Sequence, residues 1–283
     1  MASYSCEQWA DLVEQTKEQT PTQLGHQAWS LLIAAALSTS PSPNLLAEYF
    51  RYLTENEPEF QSAEASQKFS LRLRDILLKQ VTLIGAPQVL MALTPLAAIE
   101  GSPQEKAKES KLSGKWENVD RERIHARGVD TIHSIYGHDL LHNRIFLQWG
   151  AHTQDIQFME LFSVYGMYLS DFEVLTPLET ELVVFVTISC LGLGTGPALW
   201  HLRGLGRLLG ARGDDETTSD MRTVKDQLRS LKVAMMNVVE FVGGEYLTRA
   251  KLDTWPNVGD VVRVLGGWGE DAPAKGEDAS AKA

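Results

Sequence analysis

Cysteine is scarce in this chain: 283 residues hold only Cys6 and Cys190. Two thiols so far apart make no disulfide framework. Positive charge is also short, with 26 Lys and Arg against 37 Asp and Glu, for a net charge of −11. Non-specific nucleic-acid binding needs a basic face, so that class of partner is excluded. Long apolar runs are missing as well. The strongest candidates, Leu31 to Leu37 and Leu182 to Leu193, are core-helix lengths, short of the roughly 18 residues that span a bilayer. No membrane partner is expected. The N-terminal MASYSCEQWADLVEQ carries acids and lacks the basic-then-apolar order of a secretory signal. It is also too acidic for a mitochondrial presequence. Ser110-Lys111-Leu112 spells a peroxisomal address, but inside the chain, and the terminal Ala-Lys-Ala is a degenerate version of it. The expectation is a cytoplasmic protein; mitochondrion and peroxisome are alternatives without a clear signal.

Strand alternation is nearly absent, and a helical period takes its place. Trp9, Leu12 and Val13 share one face of a helix over Cys6 to Thr16. Helices follow at Leu24 to Leu37 and Leu45 to Leu53, separated by STSPSPN, and at Ala63 to Ile84. Gly85-Ala86-Pro87 ends the last of these, and Gln88 to Ile99 resumes it. Gly101 to Lys115 is polar and without aromatics, which reads as a linker or mobile loop. Helices return at about Glu117 and continue to Tyr246. One from about Thr218 carries a buried stripe of Val224, Leu228, Leu231, Met235, Val238 and Val242. The chain is therefore all-α: a helical half over 1–100, a loop over 101–115 and a second helical half over 116–266. Residues 267–283, mostly GEDAPAKGEDASAKA, read as a disordered tail.

The densest chemistry lies in TPLETELVVFVTISCLGLGTGPALWHLRGLGRLLG, ending at Gly210. Thr176-Pro177 supplies a hydroxyl N-cap and a proline at the first helical position. Leu182 to Leu193 then runs almost without a polar residue, so the helix should be buried on most faces. Gly192, Gly194, Gly196 and Pro197 break it, and a second helix begins with His201 in its first turns. Glu181 and His201, brought together in an apolar layer, would make an acid–base pair. The helix dipole is an alternative use for Glu181, and Glu179 competes for it. His201 could equally be a core histidine. Arg203 could bind a carboxylate bidentately or serve as a surface ion-pair partner.

Together with RGVDTIHSIYG (Arg127 to Gly137) and FSVYGMYLSDFEVLTPLETELV (Phe162 to Val183), this segment resembles the carboxymuconolactone decarboxylase and alkylhydroperoxidase D-like superfamily. The resemblance covers roughly Arg127 to Tyr246. It implies an all-helical fold of that kind, a homo-oligomer, and a small-molecule ligand handled by Glu181 and His201 as catalytic residues. Arg203, Tyr165 and Tyr136 would then be substrate-binding residues, with no cofactor and no metal. Tyr136-Gly137 and Tyr165-Gly166 also suit tight helix junctions. Two departures stand out. The positions of the peroxidase members' Cys-x-x-Cys pair, seven and four residues before His201, are Gly194 and Pro197. Cys190 sits inside the apolar helix, where burial would keep it inert. The position of a further decarboxylase histidine is Asn237. The resemblance thus implies acid–base chemistry on, or binding of, a small carboxylated or lactone-like molecule without thiol peroxidase activity. The alternative is a non-catalytic helical oligomerisation or scaffold protein.

Leu73 to Leu93 repeats the same layout of acid, apolar helix, Gly/Pro hinge and second apolar helix. In this candidate degenerate repeat Asp75 corresponds to Glu181 and Met91 to His201. His138 and His142, four apart with His133 nearby, would share a helix face and could bind a metal. No glutamate follows them in the metalloprotease arrangement, and the simpler reading is a polar rim on a helix that packs through Ile135, Leu140, Leu141 and Ile145.

Overall fold

The computed structural model describes residues 4–100, 120–194 and 196–270. Among them are eleven α-helices, several π and 3-10 turns and no strand, which establishes the all-α class. The linker expected at 101–115 lies outside the described residues.

The N-terminal half supplies α1 (Cys6–Gln19), α2 (Ala28–Ser38), α3 (Leu45–Asn56) and α4 (Ala63–Ile99). Helix α2 reads AWSLLIAAALS and is buried along its whole length. Its alanines let neighbours approach closely, and it packs against α1, α3 and α4. Helix α4 breaks at Gly85 (φ 79°, ψ 154°), where the Gly-Ala-Pro sequence places the interruption. Buried Gln80 ties three helices together: it donates to the Ala35 carbonyl and to Thr187, and accepts from Ser38. Lys79, also buried, is held by Asp75 and by the Asp171 carbonyl.

The second half supplies α5 (Arg121–Tyr136), a π turn (Leu140–Ile145), a 3-10 turn (Phe146–His152) and α6 (Thr153–Phe158). A π helix (Met159–Leu169) follows, then α7 (Pro177–Cys190), α8 (Pro197–Leu208) and α9 (Ser219–Val242). Helices α10 (Gly244–Ala250) and α11 (Val258–Leu265) close the described chain. The two halves share one core. Trp9, Leu31, Tyr49 and Phe69 from the first pack in the same cluster as Leu182, Val186, Leu231 and Val238 from the second. The expected division into halves is therefore one of sequence, not of separate cores.

Helix α7 explains its own composition. Leu182, Val183, Phe185 and Val186 face the main core, while Val184 and Ile188 face a second, smaller cluster with Ile135, Tyr136, Phe146 and Tyr165. A helix caught between two cores must be apolar nearly all round. Glu181, three residues before Val184, lies on the side of the smaller cluster.

Two expectations change. Residues 267–270 are not a loose tail. Trp268 is fully buried, its backbone N–H donates to the Gly213 carbonyl and its own carbonyl accepts from Arg207. Residues 271–283 lie outside the described residues. In addition, one stretch of α4 is long and apolar enough, by length and composition alone, to cross a membrane. The Gly85 break leaves the part from Ala86 to Ile99 at about 21 Å, short of a ~30 Å hydrocarbon layer.

Candidate functional site

Local sequence frees Glu181 for the site. Thr176 caps α7, accepting from the Glu179 N–H at 3.2 Å, and Glu179 returns the bond by accepting from the Thr176 N–H at 2.9 Å. This capping box uses Glu179, which also pairs with Arg72. Glu181 has no such role. It is 1% exposed, and its Oε1 stands 2.9 Å from Nδ1 of His201 on α8, itself 4% exposed. The Gly192–Pro197 break turns the chain so that α8 packs back along α7, and Gly204, three residues past His201, leaves room for the carboxylate. A Cβ there would lie 2.4 Å from Glu181 Oε1.

The other ring nitrogen continues the chain. His201 Nε2 is 2.9 Å from the Tyr136 hydroxyl, and the Tyr165 hydroxyl donates to Tyr136 at 3.0 Å. Tyr136 ends α5 and Tyr165 lies in the π helix. Gly128 and Gly166 let those two elements touch: a Cβ on Gly128 would be 2.2 Å from the Leu161 carbonyl, and one on Gly166 would be 2.8 Å from Ile124. The close approach sets the two tyrosines side by side.

The direction of the chain follows from its donors. Tyr165 donates to Tyr136, so the Tyr136 proton is free to go to His201 Nε2. That nitrogen then accepts, Nδ1 carries the ring proton, and a Glu181 carboxyl oxygen accepts it. Burial raises the Glu181 carboxyl above its ordinary range, and the facing imidazole works in the opposite direction. Burial also pushes both tyrosines well above 10, so they act as hydrogen-bonded phenols.

The relay opens on a cavity of about 450 Å³, a size that suits a small organic ligand. Tyr136, Tyr165 and His201 line it, with Phe146, Trp149, Ile188 and Trp200 among its apolar walls. Glu160, in the π helix, lines it too. Burial raises its carboxyl, and His201 partly offsets this. Sequence reasoning missed Glu160, although a lone acid in Phe-Met-Glu-Leu-Phe was a signal that it faces something other than solvent. Among the described residues, no lysine or arginine lines the cavity.

Arg203 corrects an expectation. It does not line the cavity and is 3% exposed, so it is neither a ligand clamp nor a surface ion-pair partner. Its Nε donates to the Gly267 carbonyl at 2.8 Å and its Nη1 to the Tyr136 carbonyl. It therefore holds the end of α5, with Tyr136 on it, against the C-terminal segment. Burial, and Arg207 beside it, lower its pKa to about 10. Asn237 does not line the cavity either. In the candidate repeat, Asp75 pairs with Lys79 and Met91 is largely exposed, so the first copy holds no acid–imidazole pair.

Neither Cys6 nor Cys190 lines the cavity. A Cβ on Gly194 would fall 1.6 Å from the Thr254 carbonyl, which leaves no space for a cysteine on this backbone. Cys190 is buried and its thiol is pushed up to about 12. His133, His138 and His142 do come together, away from the cavity lining. Comparison with family models, curated proteins and solved structures returned no match.

Proposed function

We propose that the protein carries out acid–base chemistry on a small, largely apolar molecule with a neutral carbonyl or lactone group. The single observation that carries this reading is the hydrogen-bonded chain Glu181–His201–Tyr136–Tyr165, buried behind and open to a cavity in front. In this reading the hydroxyl of Tyr165 takes a proton from the bound molecule as its own passes to Tyr136. The Tyr136 proton then moves to His201. The imidazolium so formed lies against the Glu181 carboxylate, which stabilises it and holds the ring in place. Glu160, whose carboxyl burial raises, supplies a proton to the ligand oxygen in this reading, while Glu181 braces the imidazolium.

The walls narrow the ligand class. With no lysine or arginine among the described residues that line the cavity, a carboxylate would be desolvated without a strong counter-charge from them. This favours the lactone-like part of the original expectation over the carboxylated part. The resemblance to the carboxymuconolactone decarboxylase-like superfamily supports the same pair, since its motifs single out Glu181 and His201.

The test is deuterium exchange at the position next to the carbonyl, followed by NMR for a panel of small lactones and ketones with the full chain in heavy water. Exchange above the buffer rate is expected, with a loss of about 100-fold or more in His201→Ala. Exchange at the buffer rate across the panel, or a rate untouched in that variant, would sink the reading.

Exposed Leu90, Met91, Leu147 and Phe158 favour a second reading, a helical protein that self-associates. Light scattering on the eluting protein tests it: a monomer at all concentrations removes this reading and leaves the cavity chemistry unaffected.

A further inference from the structure

We propose that His133, His138 and His142 form a binding site for a zinc-class divalent ion, held by three imidazole nitrogens and solvent oxygen. One ligand atom from each residue lies within 4.8 Å of the others. His133 Nε2 and His142 Nε2 are 2.9 Å apart, so one already presents its lone pair toward the other. Nitrogens around a tetrahedral zinc ion at ~2.0–2.1 Å are separated by about 3.4 Å. The three rings thus need small rotations and no backbone movement.

The backbone builds this convergence. His133 lies in the last turn of α5, which ends at Gly137 with φ 70°. That turn folds the following segment back, and the π turn over Leu140–Ile145 brings His142 against His133. The His138 and His142 rings are 4.3 Å apart between centroids. His133 and His142 are half-buried and His138 is exposed, so the cluster is supported from beneath and open to solvent on one side. Negative charge stands close by: Glu270 accepts the His138 N–H at 2.9 Å, and its charge and that of Asp130 reach His133.

The ion would be a staple and not a reaction centre. None of the three histidines lines the cavity, yet Ile132, Tyr136, Leu141 and Ile145, interleaved with them in sequence, do. Binding would clamp the end of α5 to the π turn and so fix one cavity wall. The site is independent of what the cavity does.

The experiment is titration of the tag-free full chain with Co2+, read by its visible d–d absorption, followed by displacement with Zn2+. One equivalent of tetrahedral-type absorption is expected, together with a raised unfolding temperature in Zn2+. His138→Gln, at an exposed position that leaves the fold undisturbed, should weaken binding by at least about 100-fold, beyond the usual loss for a supporting residue. Replacing the exposed His26, His125 and His152 together should change nothing. Absence of the absorption at stoichiometric Co2+, or absorption that survives in His138→Gln or disappears in the triple variant, overturns the site.

Discussion

Glu181 Oε1 and His201 Nδ1 are 2.9 Å apart beneath the surface, and Tyr136 takes the opposite nitrogen of the same ring. The imidazole is held from both sides, so its tautomer is set by its neighbours. Glu181→Ala leaves a buried ring N–H without an acceptor and should cost about 3 kcal/mol, as expected for breaking a buried pair. Glu181→Gln retains an acceptor oxygen and should cost only about 1 kcal/mol. Urea unfolding separates the two variants. Equal losses would mean that side-chain volume, not the hydrogen bond, is what the site requires.

Glu160 makes stability depend on pH with a definite sign. Its folded carboxyl is raised above the usual 4.5 by burial, so the folded state binds its proton more tightly than the unfolded chain does. Its contribution is fully present at low pH and is lost as pH rises from about 4.5 through the folded value. Glu160→Gln abolishes that loss. The variant should match the parent near pH 4 and exceed it in urea midpoint near pH 8, by an amount that levels off once the parent's carboxyl is ionised. Glu181 is shifted in the same direction, so some decline remains in the variant. Parallel pH curves for the two proteins would show that Glu160 is not held in a low-dielectric place.

Much of this arrangement was legible in sequence where the cause is local. Thr176-Pro177 opens α7, Gly85 breaks α4, and the apolar run from Leu182 predicts a helix buried on most faces. Glu181 and His201 were legible as a pair because their spacing fits two helices joined by a Gly/Pro turn. The rest depends on contacts between distant segments. Tyr136 meets Tyr165 only because Gly128 and Gly166 let two elements touch across some forty residues. Arg203 looks like a ligand clamp until its guanidinium is seen satisfied by backbone carbonyls. Gly266-Gly267-Trp268-Gly269 looks like the start of a loose tail, because nothing local shows that Trp268 fits over Gly206.

The two cysteines should behave oppositely. Cys6 is exposed, while Cys190 is buried with its thiol pushed up to about 12. A thiolate is the reactive form, so Cys190 should be silent toward a disulfide reagent at neutral pH. The native protein should titrate as one thiol and the urea-unfolded protein as two. Rapid modification of both in the native state would show that Cys190 is reachable and reactive despite its burial.

Gly204 is the sharpest test of how the pair is positioned. It lies on α8 one turn past His201, and a methyl group there would stand 2.4 Å from both Glu181 Oε1 and Ile135 Cγ2. Gly204 is helical, so alanine meets no backbone objection and would gain up to about 1 kcal/mol of helix propensity. Overpacking opposes that gain at about 1–3 kcal/mol, because Ile135 belongs to the packed smaller cluster and Glu181 has no solvent to move into. Gly204→Ala should therefore be destabilised and should lose the shared proton resonance of the His201 ring in NMR. A stabilised variant with that resonance unchanged would mean that α8 can move away from α7 without disturbing the relay. The close contact at Gly204 would then be incidental to where His201 sits.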